Sequence, residues 1–176
     1  MTDILNRVLN DQDPLKKLVG KIPGFSGYIN RENRRSADKL LRESIAAQYE
    51  TIYKKISAIQ VDLISNGGIE FLDDAEKASL QIRIFTDRIR NATYGYSGFF
   101  DSVKIDENDI NAMYAFDLAF VETGEKLSSE LDSLAGNITN SEGLPAFIRN
   151  IAFLAKQLNE TFDQRNNLLS KPEASV

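Results

Sequence analysis

The sequence predicts an all-α protein: an up-down-up-down four-helix bundle preceded by two short N-terminal helices. Three observations carry that prediction. Apolar residues recur at three- and four-residue steps through four long segments. Clusters of Gly, Asn and Pro fall between those segments, where helices stop and restart. No segment requires a strand.

The first long helix is expected at about 30–65. Its stripe is Ala37, Leu41, Ile45, Tyr49, Ile52, Ile56, Ile59 and Leu63, and Asn66, Gly67 and Gly68 supply left-handed backbone to end it and turn the chain. The second, about 73–93, carries Ala78, Ile82, Phe85, Ile89 and Ala92. Its QIRIFTDRIR run alternates like a strand, and the surrounding Glu, Ala and Lys assign it to a helix. The third, about 106–135, opens on Asp106 as N-cap and carries Ile110, Met113, Phe120, Leu127, Leu131, Leu134 and Ile138. The fourth, about 145–169, takes Pro145 in its first turn and buries Phe147 or Ile148, then Ile151, Leu154, Leu158, Phe162 and Leu169.

Residues 1–22 read as two short amphipathic helices, with Asp13 and Pro14 capping the second. Their apolar residues are expected to pack on the bundle or a homodimer mate, or else on a lipid surface. Residues 23–169 form the bundle, and 170–176 read as a disordered tail.

The sequence has no Cys, no His and no Trp. Thiol and imidazole nucleophiles, zinc fingers and Ser/His/Asp triads are thereby excluded. There is no phosphate-binding glycine motif, and DENDIN lacks the central glycine and closing glutamate of a calcium loop. Neither catalytic residues, cofactor nor metal ligands are assigned. No stretch approaches the roughly 18 uninterrupted apolar residues of a membrane span, and a cytoplasmic location is expected.

The net charge of −5 conceals a dipole along the chain. Residues 16–42 hold eight Lys or Arg against two acids, whereas 101–142 hold ten acids against two lysines. This neutralising pattern argues against nucleic acid as a partner.

The most specific motif is a near repeat, Gly24-Phe25-Ser26-Gly27-Tyr28 and Gly95-Tyr96-Ser97-Gly98-Phe99. An alternating bundle brings both copies to one pole. The resulting candidate interaction patch is Phe25, Tyr28, Tyr94, Tyr96, Phe99 and Phe100, with a hydrophobic plug as the alternative role. A basic collar of Arg31, Arg34, Arg35, Lys39 and Arg42 follows, with Asp101, Asp106, Glu107 and Asp109 as expected internal partners.

Asp117 interrupts the apolar stripe of the third helix. Folding that helix back on the second pairs Asp117 with Arg88, or alternatively Arg90, because a lone buried carboxylate is costly. The expected function is an intracellular protein-interaction or scaffolding module without catalytic activity, its partner another protein. An anionic membrane surface contacted through the basic N-terminal segment is the alternative, and a carboxylate metal- or ligand-binding bundle the third.

Overall fold

The computed structural model of the chain describes residues 13–28, 33–92, 107–139 and 143–169. Among these the structure is all-helical, with five α-helices packed together and no strand. They are α1 (Pro14–Lys21), α2 (Arg34–Ser65), α3 (Leu72–Asn91), α4 (Glu107–Asn137) and α5 (Leu144–Leu169), with a 3-10 turn at Ile69–Phe71 before α3.

Local chemistry sets several boundaries. The Asp13 carboxylate accepts from the Lys16 amide at 2.9 Å, and Pro14 occupies a first-turn position where no amide hydrogen is needed. At the end of α2, Gly67 takes a φ of +79°. The Gly68 amide then reaches back to the Leu63 carbonyl and the Gly67 amide to that of Ile64, which closes a Schellman cap. Gly67 alone supplies the left-handed backbone there, since Asn66 and Gly68 have negative φ.

The predicted stripes face inward. Leu41, Ile45, Tyr49, Ile52, Ile56, Ile59 and Leu63 of α2 are buried, as are Ala78, Ile82, Phe85 and Ile89 of α3. At the start of α5, Ile148 takes the core position and Phe147 is only partly buried. Tyr49, Phe85, Phe120 and Phe162 bring one aromatic ring from each long helix to the middle, with Phe85 4.6 Å from Tyr49 and 5.1 Å from Phe120 between centroids.

The order of helices around this core matters most for the site. Each long helix packs broadly against two others: α2 against α3 and α4, and α5 against α3 and α4. The consecutive helices α3 and α4 are not among the broadly packed pairs.

Paired residues give the directions. Tyr49 donates to the Phe120 carbonyl and Lys55 bonds Asp132, so α2 and α4 lie side by side and run the same way. Along α3 and α5, Asn159 bonds Gln81, and Arg88 bonds Asp163, which again rise together. On the α2–α4 seam, Gly124 makes room for a side chain of α2. The Gln48 amide lies over it, donates to the Val121 carbonyl at 3.2 Å, and would be 2.6 Å from an added Cβ.

Helix α1 packs on α4, burying Leu18 and setting Lys17 and Lys21 against Glu122 and Glu125. The chain then doubles back along residues 22–28 toward the start of α4.

Candidate functional site

The first glycine-aromatic segment is a strap, and its glycines are required. Gly24 and Gly27 adopt φ of +82° and +90°, the left-handed region that side chains disfavour. At Gly27 a Cβ would also fall 2.7 Å from Leu15 and 2.8 Å from the Tyr114 hydroxyl. This close approach brings Phe25 and Tyr28 inside, where both are buried. Their rings meet edge to face at 5.6 Å, and Tyr28 stacks on Tyr114 at 5.2 Å.

Beneath the strap lies a buried network of charge. The Tyr28 hydroxyl donates to Asp117 Oδ2 at 2.7 Å, and Arg165 Nε donates to Asp117 Oδ1 at 2.7 Å. Arg165 Nη2 reaches Asp38 Oδ1 at 3.3 Å, and Arg42 Nε donates to Asp38 Oδ2 at 2.7 Å. Arg42 Nη1 continues to the Arg90 and Ile89 carbonyls, placing a cation on backbone acceptors of the last turn of α3. Around the rim, the Tyr28 amide donates to the Tyr114 hydroxyl at 2.7 Å and Arg34 Nε donates to the Tyr28 carbonyl at 3.1 Å.

The network thus ties together the strap and all four long helices. Its two carboxylates face two guanidiniums, and Asp38, Arg42, Asp117 and Arg165 are all buried. Burial raises the Asp117 carboxyl above its ordinary range, outweighing the lowering by Arg165 and by the Tyr28 hydroxyl. Burial, then the Asp117 charge, pushes the Tyr28 hydroxyl well above the usual tyrosine value. No buried side-chain nitrogen or oxygen among the described residues lacks a partner. These groups are buried and bonded to one another.

Several expectations are corrected here. Asp117 is paired with Arg165, not Arg88 or Arg90. The reason is the helix order: α4 lies against α2 and α5, so its buried carboxylate meets α5 and the strap rather than α3. Arg88 instead bonds Asp163 and Asn159 and lies 4.5 Å over the Phe162 ring, while Arg90 pairs with Glu50 at 3.2 Å.

Of the expected interaction patch, Phe25 and Tyr28 are interior, and Tyr94, Tyr96, Phe99 and Phe100 lie outside the described residues. The basic collar divides. Arg42 is buried in the network, Arg34 is half-buried against the strap, and Lys39 and Arg35 are exposed, with Lys39 3.8 Å from Glu43. Arg31 lies outside the described residues, as do Asp101 and Asp106 among the expected partners.

Beyond the end of α1, an open groove between α2 and α4 has Gln48, Thr51, Glu125, Ser128, Asp132 and Ser133 among its lining residues. Its carboxylates are taken, Asp132 by Lys55 and Glu125 by Lys21, so no converging charge faces a ligand there. No group of three or more acidic side chains among the described residues is placed to hold a metal ion. None of the helices among them is long and apolar enough to cross a membrane.

No known protein family, curated protein or solved structure matches the chain.

Proposed function

We propose that this chain is a helical protein-interaction or scaffolding module with no catalytic chemistry of its own, working inside the cell. One observation supports the reading above all: large apolar side chains stand exposed on a bundle whose interior is already filled. Val19, Val61, Ile64, Ile69, Leu80, Ile84 and Phe153 are exposed; Val61 with Ile64, and Leu80 with Ile84, each stand about one turn apart on a helix, and neighbouring exposed apolar residues commonly mark contact surfaces. The buried charges support it differently, because a network satisfied internally offers no acid, base or nucleophile to a substrate. The alternating up-down-up-down course of a four-helix bundle belongs to the same proposal, supported by the parallel seams α2–α4 and α3–α5.

The anionic-membrane alternative loses support at α1. Lys17 and Lys21 face Glu122 and Glu125, and Leu18 is buried on α4, which leaves Val19 as the exposed large apolar side chain of α1.

The test uses the full chain as tagged bait, followed by titration of each recovered protein in purified form. The reading expects at least one saturable, stoichiometric partner whose binding falls when exposed apolar residues are changed to serine and the melting temperature is unchanged. Failure of every recovered protein to saturate would remove it, and turnover of a substrate by the purified chain would overturn the non-catalytic part.

A further inference from the structure

Three of the exposed apolar side chains flank one feature, the turn between α2 and α3. Val61 and Ile64 are three residues apart on α2, and Ile69 follows directly after the Schellman cap. They are 62%, 55% and 64% exposed, values that for β-branched aliphatics mean nearly unshielded. Phe71 and Leu72 lie half-buried beside them and root the tip in the core. The cap holds these residues in place through two backbone hydrogen bonds, so the surface is formed in advance and loses little entropy on binding.

Along the chain through the tip, charge has one sign. Residues 56–76 contain five acids, Asp62, Glu70, Asp73, Asp74 and Glu76, and no Lys or Arg. All five are exposed, and Lys77 just beyond them bonds Asp73 and Asp74. We infer that the tip formed by Val61, Ile64 and Ile69 is a docking surface for a cationic amphipathic helix of another protein, its apolar face on the three aliphatics and its lysines or arginines on the acidic margin.

The same margin works against a symmetric dimer and against an anionic lipid surface. A second copy docking tip to tip would bring like charge against like charge, and an anionic lipid surface would repel it; a copy docking through its basic 16–42 stretch is distinguished by the self-association arm of the test. The inference rests on the interaction-module reading and narrows it to one surface and one class of partner.

The experiment titrates the full chain with a synthetic amphipathic helix of leucine and lysine, a leucine–glutamate counterpart, and a scrambled leucine–lysine peptide that has no apolar face. Saturable binding of the leucine–lysine helix alone is expected. The triple variant Val61→Ser, Ile64→Ser, Ile69→Ser should weaken it by roughly tenfold or more, the scale of losing the burial of a few aliphatic side chains. The pair Asp62→Asn, Glu70→Gln should lower the salt dependence of binding.

Equal affinity for the triple variant, or for the scrambled peptide, would reduce the effect to general attraction toward an acidic protein and overturn the proposal. So would self-association, or pelleting with vesicles of phosphatidylserine, that the triple variant abolishes. If a purified natural partner binds the triple variant as well as the original chain, the interaction-module reading stands and this surface is excluded.

Discussion

Toward the start of α2 the interior holds Tyr28, Asp38, Arg42, Asp117 and Arg165. Toward the α2–α3 turn it holds Ile56, Ile59, Ala75, Ala78, Leu131, Leu134, Ile148 and Ile151. The second region is aliphatic and nearly filled, with a void of about 10 Å³, too small and apolar for a bound water. Aliphatic contacts are non-directional, so this region tolerates small shifts of register. The charged region does not, since every carboxylate oxygen needs a donor at hydrogen-bond distance. One end of the bundle therefore supplies cohesion and the other restricts which helices meet.

That contrast can be broken most strongly at Arg165. Changing Arg165→Met leaves Asp117 and Asp38 buried without their shared cation, and a loss of about 3–5 kcal/mol is expected in urea unfolding. An unchanged midpoint would mean that the buried network adds nothing to stability. Next is Tyr28→Phe, which deletes a hydrogen bond to a charged acceptor and should cost about 1.5–3 kcal/mol. It should also loosen the strap, read as faster hydrogen exchange at the Tyr28 amide.

In the aliphatic region, Ile59→Val removes one methylene and should cost only about 0.5–1.5 kcal/mol. A loss there equal to that at Arg165 would erase the distinction between the two ends.

The smallest effect near neutral pH is the response to alkali. Burial raises the hydroxyls of Tyr28, Tyr49 and Tyr114 above the ordinary tyrosine value. In the unfolded chain they ionise near pH 10. Above that pH the unfolded state has released protons that the folded state still holds, so stability should fall as pH rises. Denaturation midpoints measured on either side of about pH 10 should show the decline, and Tyr28→Phe should make it shallower.

Much of the aliphatic half was legible in the sequence, because its stripes repeat at helical spacing. Asp117 was legible too, as a carboxylate standing in such a stripe. Its partner was not, although the same logic reaches it: between Phe162 and Leu169 the stripe of α5 calls for an apolar residue at position 165, and Arg165 stands there. Asp38 and Arg42 left a fainter trace, an acid and a base four residues apart beside the Leu41 and Ile45 stripe.

Helix order was harder to read. Periodicity gives each helix a buried face but does not say which neighbour covers it, and the assumption that consecutive helices pack together misdirected Asp117 toward Arg88. The positive φ at Gly24 and Gly27 explains half of the repeated motif. The second copy, 95–99, lies outside the described residues.

The contact between Asp38 and Arg165 spans 127 residues of sequence. The α2–α3 and α4–α5 hairpins can each zip up from nearby residues, but this ion pair requires both to be complete and laid side by side. In kinetic terms it should belong to the late steps. Mutations at Arg165 are then expected to speed unfolding far more than they slow folding, with φ-values close to zero. The charged end would act as a latch on a finished assembly rather than as its nucleus.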